Sequence, residues 1–161
     1  MVTDTVPATR AYHHVAVGDV LADLVVPVTR TLIVAGALAS RDYQDVHHDA
    51  ELARARGSKD IFMNILTTNG LVARYVTDWS GPGGILRAIS IRLGAPNYPD
   101  DTMTLSGAVV ALGGPEADGR RGVVDVSVRG INSIGDHVTG TVTVALPILS
   151  GAVADRPPAA T

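Results

Sequence analysis

The chain contains no cysteine, which excludes a disulfide framework, a thiolate metal site and the disulfide-stapled kind of secreted mini-domain. Aromatic residues are few, with one Phe, one Trp and four Tyr, so a surface that works by stacking rings is not expected. An excess of one charge is lacking too. Thirteen Lys and Arg against 16 Asp and Glu leave a net charge of −3 without a long run of either sign, and a nucleic-acid partner is not expected. No apolar run approaches the ~20 residues of a membrane span, and Met1 to Arg10 lack the basic-then-apolar order of a signal peptide. The expected setting is the cytoplasm, with no membrane partner.

What is present is a chain of 161 residues, 46% hydrophobic, a size that suits one core. Val, Ile, Leu and Ala dominate, which favours a sheet-rich interior. Residues 1–14 are polar and aperiodic and 150–161 are rich in Ala and Pro, so both read as flexible tails around a folded body over 15–149. Within the body, 24–28 and 31–39 read as short apolar strands, and Pro27 keeps the first out of a central position. A short helix is predicted over 49–56 before Gly57, and one long helix over 61–79, where Ile65, Val72, Val76 and Trp79 recur at near-helical spacing before Gly81-Pro82-Gly83-Gly84. After that breaker the period changes to two, and 85–93, 101–112, 122–131 and 137–146 read as four strands of an antiparallel meander. In the last, Val138, Val142, Val144 and Leu146 alternate with Thr139, Thr141 and Thr143. The predicted fold class is α+β, an antiparallel sheet wrapped around one helix, with free sheet edges that invite a second chain.

The densest polar cluster is Arg41, Asp42, Gln44, Asp45, His47, His48 and Asp49, between an apolar segment and the short helix. A carboxylate and an imidazole held together grip a water molecule and take its proton as it attacks, which makes Asp42 and His47 the candidate catalytic pair. The competing reading is a polar loop in which the acids cap a helix and the histidines face solvent. Neighbours on a helix point ~100° apart, so His48 is expected on the rim rather than beside His47. Asp42, Asp45, His47 and Asp49 match no metal motif, and no metal is expected. His13 and His14 fall in the tail, and His137, beside a turn, is expected to be exposed.

The segment Asp42-Tyr43-Gln44-Asp45-Val46-His47 resembles the Asp-x-Asn-Pro-Leu-His motif of MaoC-like (R)-specific enoyl-CoA hydratases, with Gln44 for the usual Asn and Asp45 for the usual Pro. The resemblance spans nearly all of 15–146. It implies the hot-dog fold, Asp42 and His47 as catalysts, and no cofactor, CoA being part of the substrate. Where the family has His-Gly at the start of the long helix, this chain has Met63-Asn64. Asn64 is thereby the candidate for binding the thioester oxygen, with a helix cap as the competing role.

Gly57 to Leu66, Tyr75 to Trp79 and Asn132 to His137 are similar to the small MaoC-like subunits of actinobacterial enoyl-CoA hydratases acting on steroid side chains in sterol degradation. That likeness implies an acyl-CoA thioester substrate. It also implies a second MaoC-like chain, often fused to a DUF35 domain, in a heterodimer or heterotetramer. Two other functions stay open: an acyl-CoA thioesterase on the same fold, and a non-catalytic acyl-CoA-binding subunit.

Overall fold

The computed structural model describes residues 8–149. Five strands, β1 (Val20–Val28), β2 (Ile85–Leu93), β3 (Asp101–Pro115), β4 (Arg121–Ile131) and β5 (Asp136–Pro147), form one antiparallel sheet in the order β1-β3-β4-β5-β2. Three helices, α1 (Arg30–Ala39), α2 (Ala50–Ala55) and α3 (Ile65–Ser80), accompany it.

The core is the reason for this arrangement. The apolar faces of β3, β4 and β5, carried by Met103, Leu105, Val109, Val124, Val126, Val128, Val138, Val142, Val144 and Leu146, are buried in one cluster with Val72, Tyr75 and Val76 of α3. Those helical positions lie three and four apart, so they form one stripe that the curved sheet covers. Removing such branched side chains from water contributes ~1.5–3 kcal/mol apiece, and α3 is the longest helix among the described residues.

Three sequence expectations need correction. The run 31–39 is not a strand but most of α1. Thr29 caps it by accepting the Leu32 N–H at 3.0 Å, and Ile33 and Ala37, four apart, are its buried residues. A short run does not reveal its period when the residues between its buried positions are also small or apolar. The long helix starts at Ile65, not 61, because the N–H groups of Phe62 and Met63 are donated to Val46 and Asn97 carbonyls at 3.0 Å each, which holds 61–63 out of the helix. Its far end comes at Gly81, whose φ of 74° takes the left-handed form that glycine tolerates. Finally, only β3, β4 and β5 form a meander. β2 is paired with β5 on the far side, leaving β1 and β2 as the two edges.

Of the segment read as an N-terminal tail, residues 1–7 lie outside the described residues, as does the C-terminal stretch 150–161. Residues 8–14 lie against the body: Ala11 is buried, the Arg10 N–H is donated to the Ser80 carbonyl at 2.9 Å, and the Arg10 guanidinium sits 5.1 Å from the Trp79 ring centroid. Among the described residues no helix is long and apolar enough to cross a membrane.

Candidate active site

Asp42 and His47 are brought together by the connection between α1 and α2. The chain leaves α1 through Ser40, turns at Arg41 with φ 58°, and returns its Asp42 N–H to the Ala37 carbonyl at 2.9 Å. A single 3₁₀ turn, Asp45–His47, then swings the imidazole back. His47 Nε2 lies 3.3 Å from Asp42 Oδ2. The other ring nitrogen, Nδ1, is 2.7 Å from the Phe62 carbonyl. A carbonyl only accepts, so Nδ1 carries the hydrogen, which leaves Nε2 as the ring nitrogen that can hold a lone pair, close to Asp42 Oδ2. Two acceptors side by side match the two protons of one water molecule.

The remaining acids of this loop have separate employment. Asp45 pairs with Arg56 at 2.6 Å. Asp49 caps α2, accepting the N–H groups of Glu51 and Leu52 at 3.0 Å each. His48 is exposed, with Nε2 3.2 Å from the Tyr43 carbonyl. Among the described residues no three His, Cys, Asp or Glu side chains converge as metal ligands do.

Asn64 is the N-cap of α3. Its Oδ1 accepts the Thr67 N–H at 2.9 Å, while Nδ2 donates to Ser40 Oγ at 2.9 Å and to Asp42 Oδ2 at 3.0 Å. The cap role is therefore real, and the amide is wholly engaged inside the protein. The backbone N–H groups of Asn64, Ile65 and Leu66, at the positive end of a 16-residue helix, have no acceptor among the described residues.

Asp42, His47, Asn64 and Ile65 line a cavity of about 370 Å³ together with Phe62 and Ala95. A hollow of about 620 Å³ lies between residues 8–11, β1 and the far half of α3, near Tyr75 and Trp79. It is larger, but the facing acid and base are in the smaller one, and chemistry outweighs volume.

His137 is the residue that sequence reasoning misplaced. It is 1% exposed rather than on the surface. Its Nδ1–H is donated to the Ala95 carbonyl at 2.7 Å and Nε2 accepts the Thr68 hydroxyl at 2.9 Å. Burial holds its pKa below the usual imidazole range, opposed by the bond to Ala95. The cause of the misplacement is a bulge. Ile131 pairs with Asp136 and Gly130 with Val138, so His137 is an extra residue and turns inward with Val138. Asn97 and Asn132 are likewise buried, with Asn132 Nδ2 donating to Asn97 Oδ1 at 2.8 Å and so bracing the segment whose carbonyl holds Met63. Polar residues after the long helix that break the apolar alternation were the available signal.

Asp60 fastens the segment leading into α3. It accepts Arg30 at 3.0 Å and Arg54 at 3.2 Å, and these guanidinium groups, with the Ile61 N–H, hold its carboxyl well below the usual carboxylate range.

No protein-family model matches the chain. A curated relative does: the chain is 52% identical over 130 residues to the 3-oxo-4,17-pregnadiene-20-carboxyl-CoA hydratase beta subunit of Mycobacterium tuberculosis, covering 81% of this chain and 95% of the relative. Among solved structures, a chain of the ChsH1-ChsH2 complex from Mycobacterium tuberculosis aligns with a TM-score of 0.75 and 51% identity, over 81% of this chain and 98% of that one. The unliganded R-hydratase PhaJ1 from Pseudomonas aeruginosa aligns with a TM-score of 0.74 over 94% and 96% of the two chains; at 22% identity it speaks for the fold alone. Five antiparallel strands around α3, the loop pair Asp42 and His47, and half-identity across nearly the whole of a hydratase subunit lead to one conclusion: the chain belongs to the MaoC-like enoyl-CoA hydratase family, with its hot-dog fold.

Proposed function

We propose that this chain is the catalytic subunit of a cytoplasmic hydro-lyase that adds water to the double bond of an α,β-unsaturated acyl-CoA, with a steroid side-chain thioester as the substrate class. The observation that carries it is the pair Asp42 Oδ2 and His47 Nε2, 3.3 Å apart at the wall of a cavity that Asn64 and Ile65, at the N-terminus of α3, also line. The steroid assignment rests on the 52% identity to the hydratase beta subunit.

In the proposed reaction Asp42 and His47 each accept one hydrogen bond from the water, and its oxygen attacks the β-carbon while one proton passes to the pair. Electron density moves through the conjugated system to the thioester oxygen, where the N–H groups of Asn64 and Ile65 receive the developing charge. The proton then goes to the α-carbon on the same face, completing a syn addition. Every atom is supplied by substrate and water, so the scheme calls for no cofactor beyond the CoA carried by the substrate.

The proposal includes a second MaoC-like subunit, with or without a DUF35 domain, in a heterodimer or heterotetramer. Two observations support it. β2 is an unblocked edge strand, whereas the other edge, β1, has Pro27 in its ladder. A cavity of about 370 Å³ is also small for a steroid thioester, so part of the substrate's wall must come from elsewhere. The test is to purify the chain with its partner and mix the complex with steroid and short-chain enoyl-CoA. Loss of the enoyl-thioester absorbance with no thiol released is the expected result. Thiol release with the absorbance unchanged would establish a thioesterase instead.

A further inference from the structure

We infer that the side chain of Asn64 is a positioning residue for Asp42, and that the buried pair His137 and Thr68 holds Asn64 where it performs that task. The inference rests on the hydratase reading for what Asp42 does, while its geometry concerns this chain alone.

The backbone places the Asp42 carboxylate but does not orient it. Its Oδ1 receives only a long contact of 3.5 Å from the Gln44 N–H. The firm neutral donor is Asn64 Nδ2, 3.0 Å from Oδ2. The orientation of that amide is unambiguous, because Oδ1 must face the Thr67 N–H and therefore Nδ2 faces Ser40 and Asp42. With both hydrogens of Nδ2 spent and 2% exposure, the amide has no donor left for a substrate. Its one available role at the reacting center is to aim Oδ2 toward the point it shares with His47 Nε2.

Asn64 itself is held from the other side. His137 gives its Nδ1–H to Ala95, so Nε2 is an acceptor and the Thr68 hydroxyl proton must point to it at 2.9 Å. That leaves no proton for the Asn64 carbonyl 3.4 Å away, which instead accepts the Thr68 N–H at 3.2 Å. The first turn of α3 is thereby fastened to the bulge of β5 and to the cavity wall at Ala95. A shift of ~1 Å in a reacting group costs about a hundredfold in rate, and this chain of bonds prevents such a shift.

The test compares the complex of this chain and its partner as wild type, Asn64→Ser, Thr68→Val and Thr68→Ser, by hydration kinetics, thermal unfolding and nitrogen-15 NMR titration of the His47 ring. Serine at position 64 keeps a capping oxygen but lacks the amide donor. The expected result is a kcat lower by about ten- to a hundredfold with KM within about twofold, little change in unfolding temperature, and a displaced His47 titration curve. Thr68→Val lowers kcat in the same direction and Thr68→Ser restores it. A wild-type kcat in Asn64→Ser, a loss confined to KM, or a Thr68→Ser as impaired as Thr68→Val would each overturn the inference. If the wild-type complex hydrates nothing, the functional reading fails, and the NMR arm still decides: an unmoved His47 titration in Asn64→Ser removes the positioning role.

Discussion

His47 and His137 line one cavity and share half of their bonding. Each donates Nδ1–H to a backbone carbonyl at 2.7 Å, to Phe62 and to Ala95. They differ at Nε2. That of His47 keeps its lone pair beside the Asp42 carboxylate, where water protons can be taken, whereas that of His137 is closed by the Thr68 hydroxyl. The same ring on the same kind of anchor thus has an open or a closed second nitrogen according to what stands beside it. The difference teaches that burial does not by itself identify the base: His137 is the more deeply buried of the two.

The sharpest way to break this contrast is to remove the proposed catalytic pair. Asp42→Asn and His47→Ala in the assembled complex are expected to lower kcat by about 10²–10⁴ while the fold survives; turnover at the wild-type level would assign the chemistry to the partner subunit. The converse substitution acts on stability. His137→Ala orphans the Ala95 carbonyl and the Thr68 hydroxyl and opens a void, at a cost of about 3 kcal/mol. Denaturant unfolding should therefore show a larger loss for His137→Ala than for His47→Ala, and the reverse order would undo the division of labour.

A smaller effect is the pH dependence that His137 gives to stability. The folded pKa of His137 lies below that of an unfolded imidazole, so the unfolded chain takes up a proton first as pH falls. Its contribution is constant above about pH 7, and stability is lost as pH drops through about 6.5 toward the folded value. Replacing His137 with Phe should flatten the unfolding free energy between pH 7 and 5; an unchanged slope would show that His137 is not its source. The smallest effect tests the same division among the loop acids. Asp49→Ala, which removes only the α2 cap, should cost about 1 kcal/mol and leave kcat alone, in contrast to Asp42→Asn.

Much of this was legible beforehand, and the exceptions have physical causes. Strand β2 runs over the residues the alternation predicted, and β3 to β5 differ by a few residues at their ends, because a sheet with one buried face writes its period into the sequence. The sequence of α1 resembles a strand because its Ala and Gly content serves close packing rather than period: a Cβ on Gly36 would overlap the Thr67 side chain of α3, so the contact requires a small residue. The position of β2 beside β5 follows from how the sheet closes around α3, which no local pattern encodes.

For the site, the chain's own residues determined the candidate pair, since a carboxylate and an imidazole five positions apart on a loop are sufficient to raise it. The bonds that sort the neighbours run across 11 residues for Asp45 and Arg56 and 22 for Asn64 and Asp42, beyond any local pattern. The inward turn of His137 depends on one unpaired residue in β5. Side-chain types and periods are properties of the string. Which lone pair is left unspent is a property of all the donors around it, and only the tertiary structure brings those donors together.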